Sequence, residues 1–140
     1  MTATRSIEID AGHRLLLHES KCAHPHGHRY RFEVTVAASA LDAVGRVLDF
    51  GAIKEKVGGW LDAEWDHAFL VEKGDPLAEW LAANRCRHAV LSVPPTAENL
   101  AKIVFDKAND LLRSSAGGLR VVRVRCWETP NCWSDYEAGE

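Results

Sequence analysis

The residues best equipped for chemistry lie in one short stretch, Cys22-Ala23-His24-Pro25-His26-Gly27-His28. On a strand, successive side chains point to opposite faces, so His26 and His28 would project to one side with only Gly27 between them. Two imidazoles on one side make half of a metal site. A tetrahedral Zn²⁺ needs at least one further protein ligand. His13, which follows the alternating Ile7-Glu8-Ile9-Asp10-Ala11, would supply it from the end of a neighbouring strand. Three histidines leave the fourth position open, as in catalytic zinc sites, whereas structural zinc has all four places filled by protein. Cys22 then stands either as a fourth ligand or as a free acid or base beside the metal, and the second reading is preferred. His18 and His24 could each replace His13, and spacing alone does not choose between them. His-Gly-His by itself is a short pattern, since most isolated histidines are surface or satisfied core residues. His13 and the nearby cysteine add the weight.

Such ligands must be held by regular elements. Residues 5–11 and 29–38 alternate as two strands that should pair antiparallel, joined by a long loop that carries the cysteine. Asp49 is the N-cap of a helix in which Phe50, Ile53, Val57, Trp60 and Leu61 keep helical spacing to about Trp65, and Gly58-Gly59 predicts a bend or close approach within it. Asp75-Pro76 begins a short helix with Leu77, Trp80 and Leu81, and residues 88–93 read as a short strand in a segment otherwise hard to place. Pro94-Pro95 interrupts the chain. Thr96 then caps a helix whose apolar stripe runs through Leu100, Ile103, Val104, Ala108, Leu111 and Leu112. A turn at 114–118 leads to a strand over 119–128, with Val122, Val124 and Cys126 on one face and Arg123 and Arg125 on the other, and a last strand spans 132–137. The expected class is α+β: an antiparallel four-stranded sheet with two main helices on one face, in the order ββααββ.

The 140 residues carry no repeat, linker or low-complexity tract, so residues 1–140 read as one domain. With 17 basic against 20 acidic residues the formal net charge is −3, which gives no field to draw nucleic acid or an anionic membrane; neither partner is expected. The first residues lack an apolar targeting core and no apolar run is long enough to span a bilayer, so a cytoplasmic location is expected. In a reducing compartment the four cysteines, Cys22, Cys86, Cys126 and Cys132, are expected to be free thiols.

Six ordered stretches resemble the 6-pyruvoyltetrahydropterin synthase and 6-carboxytetrahydropterin synthase family. They are Ala-Gly-His-Arg-Leu at 11–15, Cys-x3-His-Gly-His at 22–28, Asp-Phe-Gly-Ala-Ile-Lys at 49–54, Asp66-His67, Pro-Thr-Ala-Glu-Asn-Leu-Ala at 95–101, and Trp-Glu-Thr at 127–129 with Tyr136 after it. The resemblance implies the tunnelling fold (T-fold), in which sheets join into a barrel, and a homohexamer with sites at subunit interfaces. It places His13, His26 and His28 as zinc ligands, Cys22 as the catalytic cysteine, and Asp66 with His67 as a proton-relay pair. It also places Glu128 as the pterin anchor, with Thr96 and Glu98 lining the pterin pocket. Three residues between the cysteine and His-Gly-His resemble the bacterial carboxy type; the pyruvoyl type has five. The implied substrate is 7,8-dihydroneopterin triphosphate, and the implied products are 6-carboxy-5,6,7,8-tetrahydropterin, acetaldehyde and triphosphate. The sequence departs from the family pattern at Val71, where the family often has asparagine, and over residues 72–94, a segment longer than in compact bacterial members.

The residues themselves leave other readings open. His67 could merely face a helix C-terminal dipole, and Glu128 could be an exposed strand-end carboxylate. The arginines at 29, 31, 120, 123 and 125 could meet a triphosphate but suit solvated strand faces or subunit contacts better. From a different class, a structural zinc module would use Cys22 as a closed fourth ligand. Within the enzyme class, the pyruvoyl product is the neighbouring alternative.

Overall fold

The structure, a computed structural model, describes residues 1–113 and 118–139; the turn expected at 114–118 lies, apart from Gly118, outside them. The strands are β1 (Thr2–His13), β2 (His26–Ala37), β3 (Phe69–Glu72), β4 (His88–Leu91), β5 (Arg120–Thr129) and β6 (Cys132–Glu137). Helix α1 is continuous through Phe50–Ile53, Lys54–Gly58 and Gly59–Glu64, and is followed by α2 (Pro76–Ala83) and α3 (Ala97–Leu112). No helix among the described residues is long and apolar enough to cross a membrane.

β1 and β2 pair antiparallel from Thr2 opposite Ala37 to His13 opposite His26. Their alternation sends Ile9, Ala11, Tyr30, Phe32, Val34 and Val36 into a core completed by Leu100, Val104 and Ala108 of α3 and by Ile53, Val57 and Leu61 of α1. The N-caps at Asp49, Asp75 and Thr96 are each made as the sequence predicts, the side chain accepting a backbone N–H of the first turn. Gly58 and Gly59 keep right-handed helical dihedrals, and the segment Lys54–Gly58 widens into a π-turn, with Val57 and Leu61 buried in the core. Phe50, assigned to that stripe by spacing, is 51% exposed.

The expected four-stranded antiparallel sheet is corrected. Among the described residues the sheet has six strands in the order β4-β3-β1-β2-β5-β6 and is mixed, β3 running parallel to both β1 and β4. The same residues form three helices, because α2 makes the crossover that two parallel neighbours require. Leu70 and Val71 are both fully buried, so β3 is covered on both faces; its four residues, Phe69 to Glu72, hold an apolar run of three, too short for periodicity to identify. Residues 72–94, hard to place by sequence, run from the end of β3 through α2 and β4. A second correction concerns β5: Val121, not Val122, is buried with Val124 and Cys126. A bulge leaves Val122 between the Arg123–Thr35 and Val121–Val36 pairs and resets the alternation.

Two close contacts fix the end of the sheet that carries the histidines. A Cβ on Gly12 would lie 2.7 Å from Cδ2 of Phe69 and 3.3 Å from the His26 carbonyl oxygen, so only glycine lets β3 approach here. Gly12→Ala is expected to cost about 1–3 kcal/mol by overpacking, read by urea denaturation, and to weaken metal binding at the adjacent His13.

Arg14 donates through Nε to Asp75 Oδ2 at 2.7 Å and through Nη2 to Oδ1, while Oδ1 also accepts the Leu77 N–H at 2.9 Å. The Arg14 hydrogen bonds, chiefly, hold the Asp75 carboxyl below its usual range. A depressed carboxylate contributes stability that is present above its unfolded pKa of about 3.9 and lost as pH falls through the folded value. Asp75→Asn should therefore cost about 3 kcal/mol at pH 7, since it breaks a buried pair. The gap from the parent should narrow as pH drops below about 4, as denaturation series at the two pH values would show.

Candidate functional site

The register that sets His13 opposite His26 also sets Ala11 opposite His28, so three imidazoles meet on the core face at the open end of β1 and β2. Their ring centroids lie 4.6 Å (His13–His26), 5.0 Å (His13–His28) and 4.9 Å (His26–His28) apart. One ligand atom from each falls within 4.8 Å of the others.

The hydrogen bonds fix which nitrogens are free. His13 Nδ1 lies 2.8 Å from the Pro95 carbonyl and 3.0 Å from the Tyr30 hydroxyl, and His26 Nδ1 lies 2.7 Å from the His24 carbonyl. A carbonyl only accepts, so both Nδ1 atoms carry the proton and both Nε2 atoms present lone pairs. Those two Nε2 atoms face each other at 3.1 Å, an arrangement that repels unless a cation or a proton stands between them. His28 Nε2 is buried without a hydrogen-bond partner among the described residues, 3.8 Å from Glu128 Oε1. Burial, above all, pushes the His13 and His28 pKa values below the ordinary one, against the raising effect of Glu128. Burial thus favours, in His13 and His28, the neutral form that a metal requires. A divalent transition metal fits this donor set, and an all-nitrogen trio suits zinc.

A second grouping, Asp10, Asp66 and His67, is already satisfied by protein donors. Asp66 Oδ1 accepts the Asp10 N–H at 3.0 Å, Asp66 Oδ2 accepts from His67 Nδ1 at 2.9 Å, and Asp10 Oδ2 accepts from Arg29 at 3.0 Å. The neighbours Asp66 and His67 can bond because His67 adopts a left-handed φ of 58° just after α1, its N–H donating to the Asp10 carbonyl at 2.7 Å. The Asp10 N–H is the main cause holding the Asp66 carboxyl below its usual range. The His67 side chain is 73% exposed. Asp10 alternates with His13 along β1, so the Asp66–His67 pair, grouped with the Asp10 carboxylate, and the histidine trio sit beside opposite faces of that strand.

Cys22 lies half-buried in the single turn Lys21–Ala23, whose carbonyl end is tied to the Leu15 N–H at 2.7 Å. Burial, above all, pushes the nearby Tyr30 hydroxyl pKa strongly up, and the Glu128 carboxylate adds to it. Thr96 caps α3, accepting from Asn99, directly after the Pro95 carbonyl that orients His13. Glu98 follows in the first turn; its own backbone N–H, then the Ser134 and Thr96 hydroxyls, hold its carboxyl below its usual range. Glu128 sits at a second β5 bulge, where pairing slips between Trp127 and Thr129, and with His28 it lines a cleft of about 470 Å³. His18 turns away into a contact with Ser20, and His24 contributes only its carbonyl. All four cysteines are free.

The residue types did not single out Tyr30, Pro95 or Asp10. Tyr30 continues the alternation of His26 and His28, so its place beside them was legible in the period of two. Pro95 and Asp10 act through backbone atoms, which carry no side-chain signal.

The sequence profile of the 6-pyruvoyl tetrahydropterin synthase family matches residues 2–139. The chain is 39% identical over 132 residues to the 6-carboxy-5,6,7,8-tetrahydropterin synthase of Rickettsia bellii, covering 93% of this chain and 95% of that one. Among solved structures, an uncharacterized protein from Wolinella succinogenes superposes with a TM-score of 0.87 at 19% identity, over 99% of this chain and 98% of that one. The Caenorhabditis elegans 6-pyruvoyl tetrahydropterin synthase does so with a TM-score of 0.72 at 23% identity, over 99% and 96%. The fold is therefore that of these solved structures, and the chain belongs to the 6-pyruvoyl tetrahydropterin synthase family.

Proposed function

We propose that the chain is a zinc-dependent 6-carboxy-5,6,7,8-tetrahydropterin synthase. It would convert 7,8-dihydroneopterin triphosphate to 6-carboxytetrahydropterin, acetaldehyde and triphosphate, for 7-deazapurine (queuosine-type) biosynthesis in the cytoplasm. The observation that carries the proposal is the convergence of three imidazoles, with a buried His28 Nε2 that has no hydrogen-bond partner among the described residues and lies 3.8 Å from the Glu128 carboxylate. The carboxy product is favoured by the name of the Rickettsia relative and by three residues between Cys22 and His26.

In this reading His13, His26 and His28 hold zinc, which when bound supplies Lewis-acid stabilisation of charge on the substrate's side-chain oxygens. Glu128 accepts two parallel hydrogen bonds from the ring N–H and amino group of the pterin and so fixes its orientation. Thr96 and Glu98 wall the same pocket. The Cys22 thiolate removes a proton from the substrate side chain, and His67, held by Asp66, handles the second proton. Neither role places the relay on the trio's face of β1. The outward edge of β1 from Thr2 to Glu8 has no strand beside it among the described residues, since β3 meets β1 only at Gly12 and His13. Pairing of such an edge between copies is what closes a barrel. A homohexamer would complete each site with the relay pair of a neighbouring subunit.

Mass spectrometry of products from zinc-loaded protein and 7,8-dihydroneopterin triphosphate tests the proposal. Carboxytetrahydropterin with acetaldehyde supports it. Pyruvoyltetrahydropterin would overturn the product assignment, and untouched substrate would overturn the activity.

A further inference from the structure

We infer that Arg87, contributed by the β3–α2–β4 unit, is a positioning residue for the Asp66–His67 pair. The inference rests on the relay role proposed above for His67. Arg87 precedes β4. Its Nε donates to the Asp66 carbonyl at 2.9 Å, and its Nη2 donates to the Asp62 carbonyl at 2.9 Å and the Ala63 carbonyl at 2.7 Å. Two of these carbonyls belong to the last turn of α1, where no further helical N–H is available to them, and the third begins the turn that carries the pair. One guanidinium therefore joins the helix end to the residue whose side chain orients His67.

The turn needs such a brace. His67 is a non-glycine residue at positive φ, a conformation that persists only when its surroundings over-determine it. Asp10 holds the turn from the β1 side through its own N–H and carbonyl. Arg87 holds it from the other side, and its carbonyl also accepts the Phe69 N–H at 3.0 Å, fixing where the chain leaves the turn. A planar fork of donors can span three carbonyls in this way, whereas a lysine ammonium on a flexible stem lacks the geometry. The β3–α2–β4 unit thus has a function: it carries the arginine that sets the angle of the relay.

The test compares Arg87→Lys and Arg87→Met with His67→Gln and with Arg113→Ala, a control at an exposed position distant in sequence. All are full-length and zinc-loaded. Turnover of 7,8-dihydroneopterin triphosphate is measured with ¹⁵N shifts of the His67 ring and thermal melting. In the parent, the Asp66 carboxylate requires His67 to carry its proton on Nδ1. Both Arg87 variants should lower kcat about tenfold or more with KM changed little, as a misplaced group does, and should shift His67 toward the Nε2–H tautomer while zinc stays bound. Arg113→Ala should match the parent. Should Arg87→Met melt too early to assay, Arg87→Lys and the ring shifts carry the comparison. Parent-like kcat and tautomer in Arg87→Lys, with turnover lost in His67→Gln, would overturn the positioning role alone. Full turnover in His67→Gln would instead overturn the relay; the tautomer shift then decides whether Arg87 positions the ring, and an unmoved tautomer overturns that too.

Discussion

His28→Ala is expected to lose bound zinc and, with it, more than about a hundredfold in turnover, because even outer partners of metal ligands cost 10- to 100-fold when removed. The loss should be specific. The His28 side chain is 17% exposed and stands at the sheet end with its Nε2 unpartnered among the described residues, so no hydrogen bond to them from that atom is sacrificed. The variant should fold, and metal content by mass spectrometry should fall while thermal melting of the metal-free protein changes little. His13→Ala would be less clean, since His13 is fully buried and bonded to Pro95 and Tyr30, so its loss mixes metal affinity with core damage. Retention of stoichiometric zinc by His28→Ala would show that the trio is not the ligand set.

Cys22→Ala carries the second large effect with the opposite metal signature. A general base removed from the reacting proton costs about 10²- to 10⁴-fold in kcat, and here zinc content should remain that of the parent. Cys22 lies in a loop turn, outside the buried core, so the fold should also survive. Lost zinc together with lost turnover would instead mark the thiol as a fourth ligand. The two substitutions thus separate binding of the metal from use of the proton.

The histidine trio was legible because a strand has a strict period of two and because His13 ends its own strand. Pairing then needed only the antiparallel register, which the hydrophobic faces of β1 and β2 impose. The caps at Asp49, Asp75 and Thr96 were legible for the same local reason: an acceptor side chain before an apolar helical stripe. β3 was not, because a four-residue strand buried on both faces has no period to read. Burial of Val121 in place of Val122 was hidden too, since a bulge changes the alternation without changing composition. The Asp66–His67 contact depends on a left-handed φ at a histidine that nothing in its neighbours announces, and its braces, Asp10 and Arg87, lie 56 and 21 residues from Asp66 along the chain.

X-ray absorption at the zinc edge of the loaded protein, with and without substrate, tests the open three-histidine centre most directly. Three nitrogens near 2.0 Å with one light oxygen that exchanges when substrate is added is the result expected of a catalytic site with a free Cys22. A sulfur at about 2.3 Å, or a fourth protein ligand unchanged by substrate, would contradict it and make the centre a closed structural one.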